Sequence, residues 1–139
     1  MKVQTRYIHR KTKGICDIHD ITKDVENEVA TSGIINGTVT VFVPGSTAGI
    51  TTVEFEPGLK KDLPELFEKL APTGVTYHHD ATWGDGNGFS HVRAALLGAS
   101  LVVPFNNGTL LLGTWQQIVL IDFDNRARQR KVIAQIMGD

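Results

Sequence analysis

The chain has 139 residues, 41% hydrophobic and 21% charged, which is the size and balance of one globular domain with its own core. Its formal net charge is -1, and its basic residues are dispersed except at Arg126, Arg128, Arg130 and Lys131, so there is no electrostatic case for nucleic acid. The longest apolar run, Thr109 to Phe123, is broken by Gly113, Gln116 and Gln117, and Lys2, Arg6 and His9 interrupt the amino terminus; neither a bilayer span nor a signal peptide is expected, and a cytoplasmic location is the simplest reading.

Val3, Thr5, Tyr7 and His9 alternate with polar residues, and after Lys11-Thr12-Lys13-Gly14 the chain resumes as Ile15-Cys16-Asp17-Ile18, a pattern that predicts two strands of a hairpin. Cys16, the lone cysteine, reads as a small buried hydrophobe, and His9 and His19 read as structural. Ile21, Val25 and Val29 repeat at helical spacing up to a stop at Ser32-Gly33. Gly37 to Pro44 is rich in β-branched residues and predicts a strand, with a second from Ile50 to Phe55 whose alternation turns Glu54 away from the core.

Leu59, Leu63, Leu66, Phe67 and Leu70 form a helical stripe, with Asp62 as N-cap and Pro64 in the first turn, or with a kink at Pro64 if the helix starts near Gly58. Val75 to His78 reads as a short strand, and Ser90 as the N-cap of a helix from His91 to Leu97 ended by a left-handed Gly98. The remainder is β: Leu101 to Phe105, a tight Asn106-Asn107-Gly108 turn, Thr109 to Leu112, Trp115 to Phe123, and Arg128 to Met137. Ile118 to Phe123 is apolar on both faces, as in a sandwich or at a subunit interface.

The chemistry concentrates between Tyr77 and His91, where three of the five histidines stand with Asp80, Trp83 and Asp85 among spaced glycines. Imidazoles and carboxylates suit a borderline metal, a general acid/base pair, or a polar loop that hydrogen-bonds to itself. On a continued strand His78 and His79 point to opposite faces; His79, beside Asp80, is the favoured site residue, with His91 in the first turn of the following helix. Gly84-x-Gly86-x-Gly88 reads either as an anion nest or as ordinary loop chemistry. Ser46 and Thr47 bind an oxyanion or simply make their turn, Gln116 and Gln117 need partners if buried, and Asp122 has Arg126 as a nearby cation.

Together these segments resemble the YjbQ-like family of small, mostly trimeric proteins, some described as secondary thiamine-phosphate synthases. The resemblance is carried by Thr51-Thr52-Val53-Glu54, Tyr77-His78-His79-Asp80, Ser90-His91, Leu96-Leu97-Gly98-Ala99-Ser100-Leu101 and above all Gly113-Thr114-Trp115-Gln116, in order over nearly the whole chain. It implies a single domain over residues 1–139 with an α+β fold, a β-sandwich of mostly antiparallel strands with about three short helices, forming a homotrimer. It also implies a polar site with Glu54, Asp80, Gln116 and Asp122 as catalytic groups and His79 and His91 as ligands of a divalent metal, zinc or magnesium. Many relatives read His-Thr-Ser where this chain has Gly45-Ser46-Thr47, so one site histidine is absent here.

The reaction so implied joins hydroxymethylpyrimidine diphosphate to thiazole phosphate and releases pyrophosphate. It needs donors for the departing diphosphate and exclusion of water from a developing carbocation. Arg93, Arg126 and the helix end at Ser90, with Ser46 and Thr47, are expected to serve the first need, and Trp83 or Trp115 the second. Two alternatives stay open: metal-assisted hydrolysis of a phosphorylated metabolite, and a non-catalytic trimer that binds a small anionic one.

Overall fold

The computed structural model describes residues 1–139. In chain order the elements are β1 (Lys2–Thr12), β2 (Asp17–Asp20), α1 (Thr22–Thr31), β3 (Gly37–Phe42), β4 (Ala48–Val53), α2 (Leu59–Leu70), α3 (His78–Trp83), α4 (Gly88–Leu97), β5 (Ser100–Asn106), β6 (Thr109–Leu110), β7 (Gln117–Asp122) and β8 (Arg128–Gly138). The strands make two antiparallel sheets, ordered β1-β8-β3-β5-β6 and β2-β7-β4. The helices number four, one more than the sequence predicts, because the segment at His78 coils instead of extending. No helix is long and apolar enough to cross a membrane.

The β-branched runs form strands where the sequence predicts them, and the Asn106-Asn107-Gly108 turn closes with positive φ at Asn107 and Gly108, as a two-residue hairpin turn requires. The amino-terminal hairpin does not form. β1 pairs along its whole length with β8 while β2 pairs with β7 in the other sheet, so the linking residues cross between layers. The face carrying Val3, Thr5, Tyr7 and His9 is the exposed one, and Ile8 and Thr12 turn inward from the opposite face.

β7 explains the three-layer build. Ile118 and Leu120 join the larger core between the sheets, with Val39, Val41, Val103, Val132, Ala134, Ile136 and the Val25 and Val29 face of α1. Val119, Ile121 and Phe123 point the other way, into a smaller core covered by Phe67 of α2 and Ala94 of α4. Phe123 meets Phe67 with ring centroids 4.7 Å apart at a tilt of 60°, a favourable aromatic geometry. The two apolar faces of this strand are therefore both buried by its own chain, which decides for a sandwich over a subunit interface.

Of the two readings of the second helix, the start near Gly58 holds: α2 begins at Leu59 with Pro64 inside it, and the carboxylate of Glu56, not Asp62, accepts the free amides of Gly58 and Leu59. Two further local expectations are corrected. α4 begins at Gly88 rather than after Ser90; the Ser90 hydroxyl lies inside the first turn and donates to the Asn87 carbonyl at 2.6 Å. Gly98 ends α4 with positive φ, as a glycine terminator allows, but φ 92 and ψ 158 lie outside the left-handed helical region. Cys16 is half-buried, and burial pushes its thiol up to about 11 against the pull of Arg93, which keeps it protonated and inert at neutral pH.

Candidate functional site

Residues 78–97 form two short helices joined by a tight loop, and one carboxylate holds their facing ends together. Asp80, third residue of α3, accepts the Tyr77 amide at 3.0 Å through Oδ2 and the Gly88 amide at 2.9 Å through Oδ1. The amides of Tyr77 and Gly88 hold its carboxyl below the usual aspartate range. Gly88 must lie this close, since a Cβ there would meet Tyr77 Cβ at 2.4 Å. Gly84 ends α3 at φ 71 and Gly86 turns at φ 68, so the glycine spacing is accounted for by loop geometry, and the Gly88 amide is already occupied by Asp80.

The helical turn, rather than strand alternation, separates the neighbouring histidines. His78 is exposed, whereas His79 is half-buried and faces His91 of α4, ring centroids 4.1 Å apart. Asp85 Oδ1 stands 3.7 Å from His79 Nε2, too far for a hydrogen bond, and that nitrogen has no partner. Burial lowers the His91 pKa, and the charge of His79 lowers it further, against the opposing pull of Asp85 and Asp124. His91 is thus neutral at pH 7.

Opposite the histidines, β8 supplies two arginines. Arg128 and Arg130 lie on the inward face of the strand in phase with Val132, Ala134 and Ile136. Arg130 grips the buried Asp122 with Nε at 2.6 Å and Nη2 at 3.0 Å, and Nη2 also donates to Thr47 Oγ1 at 2.7 Å. Arg128 Nε donates to the buried Asp124 at 2.7 Å. Burial alone would push both carboxyls up; for Asp122 the contacts from Arg130, the Thr12 hydroxyl and the Asp124 amide outweigh it, and for Asp124 those from Arg128, the Asn125 amide and Thr47 do, so both sit below the usual range. Arg126 is exposed and takes no part: it lies in the turn before β8, and the cation beside Asp122 is Arg130, which the strand turns inward.

These groups enclose an open cavity of about 450 Å³ lined by Ser46, Thr47, His79, Trp83, Asp85, Asn87, His91, Arg128 and Arg130, with Gly45 at its edge. A Cβ on Gly45 would meet Arg130 Nη1 at 3.1 Å, so the missing side chain leaves that nitrogen facing the opening. No three His, Cys, Asp or Glu side chains form a group able to hold a metal ion.

Of the residues singled out in the sequence, Ser46, Thr47, His79, Trp83, Asp85 and His91 line the cavity, and Asp122 lies behind it under Arg130. Asp80 clasps the loop. Ser90 is fully buried and bonded to backbone. Arg93 is 1% exposed and commits each of its three nitrogens, to the Ala71 carbonyl, the Ile15 carbonyl and Glu68, which ties the loop after β1 to α2 and holds the guanidinium inside the fold, away from the cavity. Arg93→Ala is accordingly expected to lower stability by about 2–3 kcal/mol in urea unfolding, through buried carbonyls left without a donor, and to leave phosphate binding by the folded fraction unchanged.

Glu54 and Gln116 lie elsewhere. Ala48 of β4 pairs with Asp122 at the cavity end and Val53 with Gln117 at the other. At about 3.3 Å per residue, Glu54 stands about 20 Å from Ala48. Gln116 is exposed, bonded to Thr52 Oγ1 at 3.1 Å and to the Gly113 amide at 3.0 Å, and Glu54 shares a separate cavity with Trp115. The sequence reading passed over Asn87, Arg128 and Arg130 as site residues. The inward phase of β8 was the available signal for the arginines.

Residues 6–139 match the sequence profile described as UPF0047 protein YjbQ-like. A UPF0047 protein of Archaeoglobus fulgidus is 42% identical over 127 residues, covering 91% of this chain and 96% of that one. Another from Methanothermobacter thermautotrophicus is 37% identical, covering 99% and 94%. Among solved structures, a YbjQ-like protein of unknown function from Sulfolobus solfataricus superposes with a TM-score of 0.93 at 35% identity, covering 99% of each chain. A hypothetical protein from Aeropyrum pernix does so with a TM-score of 0.90 at 33% identity, covering 98% of this chain and 99% of that one.

Proposed function

The chain belongs to the UPF0047 YjbQ-like family, and from that premise we propose that it binds a small phosphorylated metabolite between the His79–His91 pair and the Arg128–Arg130 pair, and acts on it as a transferase of the thiamine-phosphate synthase type. The observation that carries this reading is the use of the two guanidinium groups. Each spends part of its donor set on a buried aspartate, and the terminal nitrogens of Arg128 and Nη1 of Arg130 remain without a protein partner on the wall of a cavity that also holds two imidazoles. Fixed donors of this kind stabilise charge gathering on a departing diphosphate without reorganising during the reaction.

In that reaction the bond between the hydroxymethyl carbon and diphosphate oxygen breaks as the thiazole nitrogen bonds to the carbon. Arg128 and Arg130 take the diphosphate, which leaves with the electron pair of the broken bond; the neutral His91 is placed to accept a proton from the amino group of the ionised pyrimidine and return it once the carbon–nitrogen bond has formed, and Trp83 stands at the rim. A homotrimer fits the uncovered outer face of the larger sheet, where Val3, Tyr7, Phe42, Val102 and Met137 are exposed. A second reading, metal-assisted hydrolysis, is favoured by the partnerless His79 Nε2. There His79 and His91 would be the protein ligands of a divalent ion completed by water, and such an ion would lower the pKa of a bound water.

Titrating phosphate monoesters against Trp83 fluorescence in a Trp115→Phe background, followed by a pyrophosphate-release assay with the two thiamine precursors, tests the proposal. Saturable quenching and precursor-dependent pyrophosphate are expected. Binding abolished by chelator, with phosphate released from simple monoesters instead, moves the assignment to the hydrolase. No binding of any phosphate ester removes both.

A further inference from the structure

The chain leaves two buried side-chain polar atoms without a hydrogen-bond partner, His79 Nε2 and Asn87 Oδ1, and both residues line the same cavity. Native structures satisfy nearly all such atoms, so two orphans in one place mark a missing partner. Asn87 is 5% exposed. Its Nδ2 faces Asp124 Oδ1 at 3.5 Å, and reversing the amide would set oxygen against a carboxylate, so the free atom is the carbonyl oxygen. That oxygen can only accept.

Resting on the phosphate-binding reading above, we propose that Asn87 is a specificity-determining residue and that the occupant is a phosphate ester carrying its own hydrogen-bond donor, a hydroxyl or amino group, which Asn87 Oδ1 accepts while Arg128 and Arg130 hold the phosphate. The two demands are opposite in sign and lie on one cavity. The arginines offer donors to an anion, and Asn87 asks for one in return. The organic part has room to continue: Gly45, Ser46 and His91 also border an adjoining cavity of about 400 Å³ lined by Ala48, Ala94, Ala95 and Ala99. A bare alkyl phosphate would leave Asn87 Oδ1 buried and unmet.

The test compares phosphate esters matched in shape. 2-Hydroxyethyl and 3-hydroxypropyl phosphate are titrated beside propyl and butyl phosphate, which replace the hydroxyl by a methyl group, by calorimetry on the intact protein. At least one hydroxy ester is expected to bind about tenfold more tightly than its alkyl counterpart. Asn87→Ala is expected to bring that ratio close to one while alkyl ester affinity stays within about twofold. The wild-type ratio needs no variant, so a poorly folding Asn87→Ala does not block the test. Equal affinities for each matched pair in the wild type overturn the role of Asn87 and leave phosphate binding standing. A preference that vanishes on chelation assigns Oδ1 to a cation and also overturns it. Failure of all four esters to bind overturns the phosphate reading itself.

Discussion

Replacing Arg130 with alanine is expected to lower stability by about 3–5 kcal/mol, the usual cost of stranding one member of a buried ion pair. Asp122 is fully buried and receives both Nε and Nη2 of Arg130, whose side chain is only 10% exposed, so its carboxylate loses its counter-charge when the guanidinium is gone. Arg130→Lys is expected to recover only part of the loss, because an ammonium cannot reproduce the planar two-point contact. Arg126→Ala, at an exposed position in the preceding turn, is expected to stay within about 0.5 kcal/mol. Urea unfolding of the three variants beside the wild type gives the comparison; equal losses for Arg126 and Arg130 would sink the assignment.

The same pair sets an acid limit. The folded-state pKa values of Asp122 and Asp124 lie below the ordinary aspartate value, so the unfolded chain binds protons first as pH falls. Their stabilisation is complete above about pH 4 and is lost as pH drops toward the folded-state values. Arg130→Ala should therefore flatten the acid limb of the stability curve as well as lower its plateau.

His91→Ala is expected to reduce turnover by about a hundredfold or more if His91 moves a proton in the reaction. Burial and the charge of His79 hold His91 below its ordinary pKa, so activity that needs its neutral form should persist to mildly acidic pH and fall only below the ordinary imidazole value. His79→Ala removes the repelling charge. The acid limb should then move to higher pH, and an NMR titration of the His91 ring should show the same upward shift. A purely structural role for His91 predicts loss of stability in step with activity and no displacement of the profile in His79→Ala.

Much of the sheet framework was legible because β-branched runs bounded by Gly, Pro and Asn leave little choice, as at Gly37 to Phe42 and the Asn107-Gly108 turn. The failures are of two kinds. β1 and β8 pair from opposite ends of the chain, and no local pattern near Gly14 announces that partner over a simple hairpin. At Val75 to His78, β propensity argues for a strand, whereas a carboxylate three residues beyond Tyr77 accepts its amide and starts a helix. Within the site, the residue types were readable and their geometry was not. His79 and His91 meet only because α3 and α4 fold back on each other, and Arg93, a candidate anion donor by residue type, is bound instead to Ala71, Ile15 and Glu68.

The double acceptance at Asp80 has an evolutionary consequence. Because one carboxylate pins the backbone at Tyr77 and at Gly88, residues 81–86 form a tethered bow whose ends are fixed independently of its contents, with the buried Asn87 belonging to the frame. Lengthening such a bow adds little closure entropy, about 0.6 kcal/mol per doubling. Descendants can thus exchange Trp83, Asp85 or the whole crest for other chemistry without renegotiating the scaffold, so that ligand preference drifts while the framework is inherited intact.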